Sequence, residues 1–134
     1  MTASAYDQPL AESRRALAAT GYDGNGEAIR GRFHTYPELA AAGLWTTPSD
    51  LARWVLALND AWAGRSDAVL EQATARAMLT RDEGGQGLGP IVRETPEVEF
   101  SHGGANEGYR ALVVGLPGRG QPTPVSPRRS ARPG

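Results

Sequence analysis

Phe100-Ser101-His102-Gly103-Gly104-Ala105-Asn106-Glu107-Gly108 runs directly into Tyr109-Arg110-Ala111-Leu112-Val113-Val114-Gly115-Leu116. Val98 and Phe100 alternate with Glu99 and Ser101, the period of a half-buried strand. Gly103 and Gly104, then Gly108, bracket a short polar loop, so the stretch reads as a hairpin. The return strand carries Ala111 and Val113 on one face and Leu112, Val114 and Leu116 on the other. Apolar residues on both faces predict a central strand covered on both sides. Pro117 and Gly118 end it.

Two readings of the glycine pair stay open. In one, a strand without side chains lets a ligand lie against its backbone, and main-chain N–H groups can aim at a developing oxyanion. In the other, His102 is a surface residue on a tight hairpin built from ordinary turn chemistry.

Upstream, Ala40 to Leu51 reads Ala-Ala-Ala-Gly-Leu-Trp-Thr-Thr-Pro-Ser-Asp-Leu. Thr47 is a good helix N-cap, and Pro48 suits the first helical position, where its missing N–H leaves nothing unpaired. Asp50 is placed to close an acidic capping box and to favour the positive helix end. Leu51, Trp54, Val55, Leu58 and Trp62 follow at helical spacing as one apolar stripe, and Gly64 stops the helix. Such a stripe is a core face. A second helix is expected over Leu70–Leu79, broken by Gly84-Gly85, with a short strand over Gly87–Arg93.

Nearer the N-terminus, Ala11–Ala19 reads as a short helix before Gly21. Asp23-Gly24 and Asn25-Gly26 mark Tyr22–Gly31 as loop. Phe33-His34-Thr35-Tyr36 is extended ahead of Pro37. His34 has no evident partner and reads as a packed or surface residue.

The chain has 134 residues, room for one domain of ordinary size, and 40% of them are apolar. A net charge of -1 gives no reason to expect nucleic acid or an anionic membrane as partner. There is no Cys, which excludes disulfides, thiolate catalysis and Cys-ligated metal. His34 and His102 show no ligand spacing, so no metal or other cofactor is expected. No apolar run follows Met1 and no segment has membrane-spanning length, so localisation stays unknown. All 14 basic residues are Arg, and a mechanism with Lys as base cannot be supplied by this chain alone.

From Gln121 on, Pro122, Pro124, Pro127 and Pro133 alternate with Ser and Arg, and no acidic residue appears. Residues 122–134 are expected to form a disordered Pro/Arg-rich tail, unable to supply a sheet ladder.

Tyr36-Pro37-Glu38, the stretch from Ala40 to Trp54, and Ser101-His102-Gly103-Gly104-Ala105-Asn106-Glu107-Gly108-Tyr109-Arg110 together resemble the serine β-lactamase-like family. That family takes in class C β-lactamases, penicillin-binding proteins, D-aminopeptidases and related esterases. The resemblance covers about Met1 to Gln121 and is to the C-terminal portion of the family's domain. It implies an α+β fold of the β-lactamase/transpeptidase type, an antiparallel sheet flanked by helices, here truncated. It implies two segments: residues 1–121 as that portion of the hydrolase domain, and residues 122–134 as the tail.

The family's nucleophile is the Ser of a Ser-x-x-Lys motif, aided by a Tyr. Its third motif, Lys-Thr-Gly or a His-x-Gly variant, lines the site, and His102-Gly103-Gly104 matches it. The match implies that His102 contributes a proton or polarity, that Gly104 belongs to the bare wall, and that the N–H of Ala105 is one of two oxyanion donors. The implied partner is a small-molecule acyl substrate.

With no lysine there is no Ser-x-x-Lys in this sequence. The expectation is therefore a fragment of a serine hydrolase, cut inside the domain at its front, with a tail that resembles translation in a shifted frame or a misjudged gene end. Two function classes follow: one wall of an acyl-transfer site in a β-lactamase-like hydrolase, or a non-catalytic remnant or binding module with the same fold. The missing nucleophile motif favours the second for the chain in isolation. No Gly-x-Ser-x-Gly elbow points to a different hydrolase. Ser101 and His102 are not a dyad by adjacency, because neighbouring strand residues point to opposite faces.

Overall fold

A computed structural model describes residues 1–94 and 96–119, so the predicted tail over 122–134 lies outside the described residues. In chain order the elements are α1 (Glu12–Arg15), α2 (Leu39–Ala42), α3 (Pro48–Trp62), α4 (Gln72–Met78), β1 (Ile91–Glu94), β2 (Val98–Asn106) and β3 (Tyr109–Gly115). Helices with an antiparallel three-stranded sheet of order β1-β2-β3 make the fold α+β.

The long helix forms where its capping residues demand. The Thr47 hydroxyl oxygen accepts from the Asp50 N–H at 3.2 Å, satisfying one of the orphan donors of the first turn. At the other end the Gly64 N–H bonds to the Ala61 carbonyl and the Arg65 N–H to the Asp60 carbonyl. This double bond pattern with Gly64 at φ +72 is a Schellman stop. Asp50 departs from expectation. It closes no capping box; its carboxylate is fully buried and accepts from the Ala3 N–H, the Ser4 hydroxyl and Arg53. The N-terminal segment thus competes for this carboxylate and wins it.

Trp54, Val55, Leu58 and Trp62 of the apolar stripe pack into or against the core as their spacing predicts, whereas Leu51 lies outside that cluster. Val55, Leu58 and Ala61 join Ala75 and Leu79 from the α4 region and Val92, Phe100 and Val113 from the sheet in one buried cluster. The Trp54 ring meets Phe100 edge-on at 6.2 Å between centroids. Registration explains the shared face: Val92, Phe100 and Gly115 are opposite one another across the three strands.

The hairpin differs from its sequence reading in two ways. Gly103 and Gly104 lie inside β2, and the turn is only Glu107-Gly108, closed by the pair Asn106 and Tyr109. The turn is set by packing as well as by backbone. Gly108 sits at φ +82, and a Cβ there would press on Gly21 and Ile29. The second difference is that β3 is the last strand of the described sheet, not a central one. One face packs on α3, while Leu112 on the other stays 37% exposed. Apolar residues on both faces of β3 are therefore not evidence of cover on both faces here. The preceding strand is also shorter than read, because Gly87–Pro90 forms a bend and pairing starts at Ile91.

Candidate functional site

The three residues singled out by sequence, His102, Gly104 and Ala105, lie consecutively along β2 with only Gly103 between them. On one side they pair with β3: His102 opposite Val113, Gly104 opposite Ala111, Ala105 opposite Arg110. On the other side β1 reaches no further than Ser101, which pairs with Ile91. From His102 to Asn106 that edge of β2 has no strand partner among the described residues. All of His102, Gly103, Gly104 and Ala105 are exposed.

The two glycines are not required by internal packing. A Cβ on Gly104 would meet nothing within 4 Å, and one on Gly103 only the Ala111 carbonyl at 3.9 Å. Neither has the positive φ that demands glycine. This part of the strand is exposed, and little stands over either of its faces at Gly103 and Gly104. By strand alternation His102 and Gly104 share one face, and Ala105 points its side chain to the other.

His102 sits at the start of this bare edge. Its Nδ1 lies 3.0 Å from the Gly89 carbonyl oxygen. A carbonyl only accepts, so Nδ1 carries the proton and donates, which leaves Nε2 as the basic nitrogen of the neutral ring. The bend at Gly87–Pro90 thereby sets the tautomer.

Sequence reasoning missed the residues that hold the far end of the edge. The Asn106 side-chain Nδ2 donates to the Ala42 carbonyl at 2.9 Å. The Glu107 N–H donates to the Tyr36 hydroxyl at 3.1 Å. Tyr36 is fixed in turn by its own N–H, which donates to the Gln8 side chain at 2.7 Å. The Tyr109 hydroxyl donates to the Ala19 carbonyl at 2.7 Å, and its ring lies edge-on to Trp45. Burial raises the Tyr109 phenol above its ordinary value. The signal for these contacts was present as Tyr36-Pro37-Glu38, but nothing local says that Tyr36 reaches a turn 71 positions later.

His34 does have a partner, contrary to the sequence reading. Its Nε2 lies 3.2 Å from a Glu107 carboxylate oxygen at the hairpin tip, and both side chains stay largely exposed. The two imidazoles thus have different partners: His34 holds the turn, His102 the start of the edge. Ser101, 9% exposed, lies on the opposite face of β2 from His102. Among the described residues no Ser or Thr hydroxyl is hydrogen-bonded to either imidazole, and no group of three His, Asp or Glu is placed to hold a metal ion. No helix among them is long and apolar enough to cross a membrane.

The arrangement can offer main-chain donors along an open edge and an imidazole of fixed tautomer at one end. The family model described as Beta-lactamase matches residues 1–122. The chain belongs to the β-lactamase family. This serine hydrolase-like family membership agrees with the helices and antiparallel sheet of the fold. No curated protein matches the chain.

Proposed function

We propose that the chain carries one wall of an acyl-transfer site of a β-lactamase-like serine hydrolase. In this reading the substrate is a β-lactam, peptide or ester, and its reacting carbonyl lies against the bare edge of β2. His102-Gly103-Gly104 is the family's third motif. The Ala105 N–H is an oxyanion donor, Gly104 leaves the space for the substrate, and His102 supplies polarity or a proton at the rim through Nε2. Residues 1–121 act as the C-terminal portion of the hydrolase domain, and the Ser-x-x-Lys nucleophile is not in them.

The observation that carries the reading is the pair Gly103-Gly104, open over both faces of the strand, on an edge that β1 leaves at Ser101. Packing gives no reason for two glycines there, whereas a ligand lying against the backbone does. The competing reading, a non-catalytic binding module, draws on the same edge together with the absence of any lysine.

The two readings separate when the upstream half with a Ser-x-x-Lys motif is supplied. A chromogenic β-lactam and a short-chain ester are then offered to the completed protein. Turnover that appears only in the completed protein, and that falls on His102→Ala, supports the wall. Turnover unaffected by His102→Ala and by Gly104→Val would refute it.

A further inference from the structure

We infer that Asn25 is a deamidation site of this chain, attacked by the main-chain nitrogen of Gly26 when the turn held by Asp23 opens. The chain has three asparagines, Asn25, Asn59 and Asn106. An asparagine deamidates when the next residue's nitrogen reaches its side-chain carbonyl carbon. The residue that follows each asparagine, and the bonds that hold the pair, therefore decide which one reacts.

Asn25 lies in the small loop closed by the bridge between Tyr22 and Ala28. Residues 24–28 are exposed, and a Cβ on Gly26 would meet nothing within 4 Å. With no side chain of its own, Gly26 leaves its nitrogen unshielded. The Asn25 side-chain amide has no hydrogen-bond partner among the described residues. The main chain around it is held instead. The N–H groups of Asn25 and Glu27 donate to the Asp23 carboxylate at 2.9 and 2.8 Å. The Gly26 N–H donates to the Asp23 carbonyl at 3.1 Å, and the Asp23 N–H to the Glu27 carbonyl at 2.9 Å. Every one of these bonds ends on Asp23. Ring closure needs the Gly26 N–H bond broken, and a solvent-exposed loop tip opens locally at small cost.

The other two asparagines are held by the fold itself. Asn59 is fully buried in α3 and is followed by Asp60. Asn106 donates its side-chain amide to the Ala42 carbonyl, and the nitrogen that would attack it, that of Glu107, donates to the Tyr36 hydroxyl.

In the ring closure a bond forms between the Gly26 nitrogen and Asn25 Cγ, and the Cγ–Nδ2 bond breaks. The Gly26 proton leaves with Nδ2 as ammonia. Water then opens the cyclic imide at either carbonyl, giving Asp or isoaspartate, with no oxidant or reductant involved. Either product puts a new carboxylate between Asp23 and Glu27, where like charges repel. Isoaspartate also adds a carbon to the main chain, so the bonds between Asp23 and Glu27 lose their register. The base of this loop meets the hairpin tip, where the Tyr22 N–H donates to the Gly108 carbonyl at 3.3 Å.

The purified full chain, kept at neutral pH below its unfolding transition, is followed by ion exchange, by peptide mass mapping and with an isoaspartyl methyltransferase. One species with an added negative charge is expected, mapping to Asn25 and carrying isoaspartate there. Asn25→Gln is expected to form none, since glutamine would have to close a larger ring. Isomerisation at Asp23-Gly24 changes no charge, so the charge separates the two reactions. Asp23→Ala is expected to speed the reaction several-fold, toward the rate of the parent chain unfolded in guanidinium chloride. An Asn25 that stays intact, or an earlier reaction at Asn59 or Asn106, would overturn the inference. So would one common rate for the folded parent, the unfolded parent and Asp23→Ala. If Asp23→Ala loses its far-ultraviolet spectrum, the folded and unfolded parent decide alone.

Discussion

The Phe100 ring occupies the space that a side chain on Gly115 would fill. The two residues are opposite one another on β2 and β3, and a Cβ built on Gly115 would run into that ring. Gly115 is thus glycine for a packing reason, since its φ is not positive. Gly115→Ala should destabilise by about 1–3 kcal/mol through overpacking, and Phe100→Ala by about 3–5 kcal/mol through the cavity. Combining Phe100→Leu with Gly115→Ala should recover part of the loss, because the smaller side chain vacates the ring's space. Denaturant unfolding of the set measures the coupling directly.

Thr47 gives a second test. Its hydroxyl is the side-chain acceptor at the start of α3, and α3 carries much of the core. Thr47→Ala should lose about 1 kcal/mol, while Thr47→Ser should stay close to the parent. Equal stability of all three would show that the cap bond contributes nothing.

How much of this was legible beforehand depended on the range of the interactions. The α3 cap, stripe and glycine stop are all encoded within a few residues of one another, and each appears where spacing predicts. The hairpin was legible too, but not its turn: Gly103-Gly104 looks like loop chemistry, and only pairing with Leu112 and Ala111 makes it strand. The place of β3 was not legible, since an apolar face looks the same whether covered or open, and among the described residues β3 is the last strand. Asp50 was misassigned because its partners, Ala3 and Ser4, lie 47 and 46 positions away. The same reason hid Tyr36 and Asn106, whose partners are remote. At the candidate site, the resemblance marked His102, Gly104 and Ala105, while the residues that fix the tip needed the fold.

Asp50 leads to a pH prediction. The Ser4 hydroxyl first, then the Ala3 N–H and Arg53, hold its carboxyl below the ordinary value of 3.8, against the opposing effect of burial. A lowered folded value means that the unfolded chain binds the proton more readily. The stabilisation is therefore fully present above about pH 3.8 and is lost as pH falls through the folded value. Thermal unfolding followed downward from pH 6 should show a decline at the acid end. Asp50→Asn should be less stable at pH 6 and should flatten that part of the profile. An Asp50→Asn profile parallel to the parent would remove Asp50 as the cause.

The last prediction concerns chemistry. A serine hydroxyl is a weak nucleophile until an adjacent base takes its proton. Here His102 spends Nδ1 on the Gly89 carbonyl and has Nε2 free, but its sequence neighbour Ser101 lies on the other face of β2. His34 is directed at Glu107, a carboxylate, and not at a hydroxyl. Lysine is absent from the whole sequence, so the base on which the family's mechanism relies is absent with it. In the proposed reading the main-chain donor at Ala105 alone has no acyl-enzyme to stabilise. Hydrolysis of a β-lactam or an ester by this chain should stay at background, and a labelled acyl donor should give no burst. When the half bearing Ser-x-x-Lys is restored, a burst should appear. His102→Ala should then slow acylation by about 10²-fold or more, the usual range for a general acid or base. His102→Gln, which keeps a polar group at the rim, should slow it less if polarity alone is needed, and equally if a proton moves. Stoichiometric acylation of the chain by itself would overturn this account, because it would require a nucleophile that none of these residues supplies.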